Sequence, residues 1–74
     1  MLNKLIRGMF LKTAIADSTK GLDVEWKMVI AKQLLDKIFR KRFKKEEIAE
    51  YMYMNGIIDS DDLSSKRMME WIVN

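Results

Sequence analysis

The chain has 74 residues, a net charge of +3, 49% hydrophobic and 34% charged residues, and neither Cys nor His. With no Cys or His a disulfide scaffold, a thiolate site and the usual zinc constellations are excluded, and the hydrophobic fraction speaks against disorder. A chain this short buries only about 60% of the surface it exposes when unfolded, so one domain over residues 1–74 with a small core is expected.

Pro is absent, Gly occurs only at 8, 21 and 56, and helix formers are abundant. Those features predict an all-α fold, a small bundle of three to four helices with a C-terminal αα-hairpin. The opening "MLNKLIRGMFLKTAIADS" has early positive charge and an Ala-x-Ala triplet, as secretory leaders do, but Lys12 interrupts any apolar run. A cytoplasmic location is the resulting expectation. Twelve Lys and Arg face four acids over residues 1–45, and two face seven over residues 46–74, giving +8 and −5. Such asymmetry suits a polyanion partner, or two bodies that attract each other.

The first helix is expected over residues 2–15, where helical spacing gathers Leu2, Leu5, Ile6, Met9 and Phe10 on an arc of about 140°, with Lys4 and Arg7 opposite. "DSTKGLD" reads as a break, after which Asp23 is placed to N-cap a second helix over 24–41. Along it Val24, Met28, Ala31, Leu34, Leu35, Ile38 and Phe39 form the stripe expected to face the core. Trp26, Val29 and Ile30 form a second apolar set on its first turns. Burial under the first or last helix is the plain account of that set, and a partner groove anchored by Trp26 is the functional one. The sequence allows one rod from 24 to 54, but basic residues at 40–45 suit a helix end and Glu46–Glu47 a fresh start, so a third helix is expected over 45–55.

Gly56 stands where a left-handed residue would end that helix, with Met52 and Ile57 placed for the accompanying apolar contact. A fourth helix is expected over 60–73, with Asp59 as N-cap, Asp62 at N3, Ile58 and Leu63 as a hydrophobic staple, and an Asp62–Lys66 i,i+4 pair. Over residues 48–70, Gly56, Ile57, Ile58, Asp61, Asp62, Leu63, Lys66 and Arg67 match a Gly-Ile-Ile-Thr-x-Glu-Glu-Phe-x2-Lys-Lys text, with Asp59 in place of Thr and Leu63 in place of Phe. This segment resembles the SHOCT-type short C-terminal domain, a bacterial helical hairpin. The resemblance implies an interaction or oligomerisation role.

Neither a metal nor a cofactor is expected. Asp59, Asp61 and Glu70 fall at EF-hand positions 1, 3 and 12, but Leu63 and Ser64 occupy the places of a ligand and the required Gly. Enzymatic activity is not expected either, because the paired acids Glu46–Glu47 and Asp61–Asp62 diverge on a helix and no glycine-rich phosphate loop is present. The function expected is that of a small protein–protein interaction module, an adaptor, inhibitor or regulatory factor of bacterial or phage type. Its candidate contacts are Trp26, Val29, Ile30, Tyr51, Tyr53, Met54, Met69 and Trp71, and its partner is either another copy of the chain or a different protein. The alternative is nucleic-acid binding through Lys4, Arg7, Lys37, Arg40, Lys41, Arg42, Lys44 and Lys45. Membrane-surface binding through the first helix is a weaker reading.

Overall fold

Thr19 shows how the chain departs from its simplest reading. Its hydroxyl donates to the Ile15 carbonyl at 2.8 Å and is fully buried, so "DST" extends the first helix by a turn instead of ending it. Gly21, at φ +79°, makes the stop. The computed structural model describes residues 2–74, with side chains from Phe10 onward. The expected apolar face of Leu2, Leu5, Ile6 and Met9 and the basic side chains of Lys4 and Arg7 lie outside the described residues.

Among the described residues five helices follow in order: α1 (Leu2–Thr19), α2 (Val24–Phe39), α3 (Lys45–Met54), α4 (Ser60–Leu63) and α5 (Lys66–Val73). No strand occurs among the described residues, and the fold is an all-α small bundle. α2 is the central element, touching α1, α3 and α5. Its Met28, Ala31 and Leu35 meet Ile15 of α1, Ile48, Ala49 and Met52 of α3, Ile58 of the connecting turn, and Met68 and Trp71 of α5 in one buried cluster. Among the described residues no helix is long and apolar enough to cross a membrane.

Several local expectations change in three dimensions. Phe10 is 71% exposed, and the described stripe of α1 that packs inward is Leu11, Ile15 and Thr19. Asp23 precedes α2 in extended backbone but its side chain caps nothing; it pairs instead with Arg67 of α5 at 3.3 Å, both ends solvent-exposed. Among the described residues neither α1 nor α5 closes over Trp26, which stays 59% exposed, while Val29 of the same set packs against the core. The last turn of the expected core stripe is open as well, with Ile38 and Phe39 each more than half exposed where the chain turns away at Arg40.

The turn after α3 is encoded within six residues. Gly56 takes φ +71°, Ile57 N–H donates to the Met52 carbonyl at 2.9 Å, and Gly56 N–H to that of Tyr53 at 3.0 Å, which satisfies two carbonyls at the helix end. Asp59 then accepts from Asp62 N–H at 2.8 Å while Asp62 accepts from Asp59 N–H at 3.4 Å, a reciprocal cap on α4. The expected single helix over 60–73 is divided at Ser64–Ser65. Ser64 donates to the Ser60 carbonyl, and Ser65, in extended backbone, accepts from Met68 N–H at 3.1 Å and caps α5 anew. Asp62 and Lys66 consequently stand on different helices and form no ion pair.

Candidate interaction surface

The segment "DKIFRKRFKKEE" builds the most organised surface of the molecule. α2 ends when Arg40 enters the left-handed region at φ 51°, a conformation that costs a side chain other than Gly about 1–2 kcal/mol. Arg40 N–H and Lys41 N–H both reach the Asp36 carbonyl, and Phe43 N–H donates to the Asp36 carboxylate at 2.9 Å. Lys32, one turn earlier, donates to the other carboxylate oxygen. Asp36 therefore holds both ends of the turn. On the far side, Glu47 accepts from Lys44 N–H at 3.0 Å and starts α3.

The Lys32 ammonium, together with the Phe43 N–H bond, holds the Asp36 carboxyl below its usual range, against a smaller opposing effect of burial. Because the folded carboxyl binds its proton more weakly than the unfolded one, this stabilisation is present above about pH 4 and is lost as pH falls through the lowered folded value. Asp36→Asn keeps an acceptor for Phe43 but removes the charge. The stability gap between wild type and Asp36→Asn is therefore expected to be open at pH 6 and to close below pH 4, measured by urea unfolding at each pH. A gap independent of pH would contradict the role given to the carboxylate.

With the turn held this way, Phe39 and Phe43 meet edge to face, centroids 5.8 Å apart and planes at 88°. Below them Leu35, Ile48 and Tyr51 complete an open groove of about 520 Å³ between α2 and α3, with Lys41 and Glu47 on its walls. The Lys41 ammonium lies 4.9 Å from the Phe43 ring centroid. Burial pushes the Tyr51 hydroxyl's pKa up, keeping it a neutral phenol.

The sequence-derived candidates separate into groups. Trp26 is 59% exposed on the first turn of α2, with Val29 and Ile30 half-buried near it. Tyr53 and Met54 are exposed on the last turn of α3, and Met69 is exposed on α5. Tyr51 is half-buried and belongs to the groove. Trp71 is only 8% exposed and leaves the candidate surface for the core. Trp26 and Phe39 are thirteen residues apart on one helix, about 20 Å along its axis and on differing faces, so they anchor two surfaces rather than one.

The basic candidates divide too. Lys37, Arg40, Lys41, Arg42 and Lys44 are exposed around the turn. Lys45 is not a free cation, because its ammonium donates to the Trp71 carbonyl at 2.9 Å and sits 5.3 Å from the Trp71 ring centroid. Residue-by-residue reading missed Phe39 and Phe43 as surface aromatics; the signal available was an aromatic pair flanking a run of three cations, which places both rings beside a chain reversal. Compared with known proteins, the chain matches no family model, no curated protein and no solved structure.

Proposed function

We propose that the protein is a small, non-enzymatic interaction module that binds another protein through an apolar helical surface in the cytoplasm. One observation carries this reading. Trp26 remains 59% exposed although ten apolar side chains among the described residues are packed into a core, and Trp is one of the side chains enriched among the anchors of protein interfaces. Val29 and Ile30 beside it and the exposed Met54 and Met69 elsewhere add apolar surface of the adaptable kind. The resemblance of residues 48–70 to the SHOCT-type hairpin supports the same role.

Capture on immobilised protein from lysate of the source cell is expected to retain a defined protein that Trp26→Ala loses, with the variant's thermal unfolding unchanged. Sedimentation over a concentration series distinguishes a second copy from a different protein as that partner. Nucleic-acid binding is the other reading, favoured by the exposed Lys37, Arg40, Arg42 and Lys44. Retention of nucleic acid alone, lost steeply with salt, would replace the protein-binding reading with it.

A further inference from the structure

The groove between α2 and α3 is a second surface, independent of Trp26, and we propose that it seats an acidic peptide segment of a partner protein bearing two or three apolar anchors. Its volume of about 520 Å³ lies within the range of roughly 300–1,000 Å³ typical of ligand clefts. Its accessible apolar surface comes from Phe39, Phe43 and Tyr51, seated on Leu35 and Ile48 of the buried core. Phe39 stays 55% exposed even with its ring against Phe43, so the wall is incomplete without an occupant.

Charge selects the occupant. Lys37, Arg40, Lys41, Arg42 and Lys44 crowd the end of α2 and the turn, all exposed. The acids here are outnumbered: Asp36 is already engaged by Lys32 and Phe43 N–H, and Glu47, the acid that lines the groove, accepts from Lys44 N–H. The rim is therefore positive over an apolar floor, and a segment with Asp or Glu flanking Leu, Phe or similar anchors complements both.

The same geometry disfavours phosphate polymers and bilayers. One face of Phe43 lies under the Lys41 ammonium and its ring meets Phe39, which leaves Phe39 as a single half-exposed ring rather than the succession of rings on which consecutive bases stack. The apolar surface here is a recess, whereas a bilayer takes a continuous apolar helix face.

Fluorescence anisotropy with labelled synthetic peptides tests the proposal on the full chain. An acidic peptide with Leu and Phe anchors at helical spacing is expected to bind, and the same peptide with its anchors replaced by Ser to bind at least tenfold more weakly. Phe39→Ala is expected to weaken the anchored peptide about tenfold. The double variant Lys41→Glu/Arg42→Glu is expected to weaken it similarly and to flatten its salt dependence. Trp26→Ala should leave it unchanged. Amide chemical shifts of Phe43, Ile48 and Tyr51 in the wild-type protein should move on titration, a readout that survives if a variant fails to fold.

Equal binding of the anchorless peptide, tighter binding of duplex DNA or of phosphatidylserine vesicles, or shifts confined to the Trp26 end of α2 would each overturn the proposal. Loss of the groove's peptide binding with Trp26-dependent capture intact would sink this inference alone. The converse result would sink the Trp26 reading and leave the groove standing.

Discussion

Trp71→Ala is expected to cost about 3–5 kcal/mol, whereas Trp26→Ala should change stability by less than about 0.5 kcal/mol. A 74-residue chain sustains only about 4–11 kcal/mol in total, so the first substitution brings the fold close to collapse. The asymmetry follows from position. Trp71 is 8% exposed in the cluster that joins α5 to α2 and α3, and its carbonyl and ring both engage the Lys45 ammonium at the start of α3. Removing the indole leaves a cavity that neighbouring helices cannot close without moving α5, and it removes the ring over which Lys45 lies. Trp71→Phe retains an aromatic ring there and should cost distinctly less. Trp26 has no such neighbours. Urea unfolding followed by far-ultraviolet circular dichroism measures both variants directly. Equal losses would mean that both indoles are covered, and the exposed surface assigned to Trp26 would disappear.

Composition and periodicity were enough for the helical class, and the features that reside within a few residues could be read directly. The Gly56 stop and the Asp59–Asp62 cap are of this kind, since donors and acceptors lie within six positions and depend on no distant element. Ser65 had an equally local signal, but the expected Asp62–Lys66 pair, which needs one helix through both residues, favoured continuity over the competing serine caps. What periodicity could not supply was which apolar stripe would be covered. Trp26 and Trp71 each lie on an apolar helix edge; α5 packs its edge onto α2 and α3, while no described element reaches the first turn of α2 on that side. The groove was hidden for a related reason. It depends on Asp36 bonding to Phe43 seven residues later and on Arg40 in left-handed backbone, neither of which hydrophobic periodicity reports.

Adjacent methionines provide the sharper test of how apolar surface is divided between core and partner. Of the seven Met in 74 residues, Met28, Met52 and Met68 are fully buried, while Met54 and Met69 stand mostly in solvent. Met68 and Met69 share one helix turn, and 100° of rotation separates full burial from 62% exposure. Met68→Ala is therefore expected to destabilise by about 2–5 kcal/mol through the lost transfer energy and the cavity left among α2, α3 and α5. Met69→Ala should stay within about 0.5 kcal/mol. Paired urea titrations at one temperature give both values, and unchanged slopes would confirm that the unfolded states are comparable. If Met69→Ala proved as costly as Met68→Ala, α5 would be covered on both faces in solution. A second copy packed on that helix would then be required, and the stability of the wild type would rise with protein concentration. If only Met68 matters, the buried methionines serve the fold and Met54 and Met69 are left for a partner to cover.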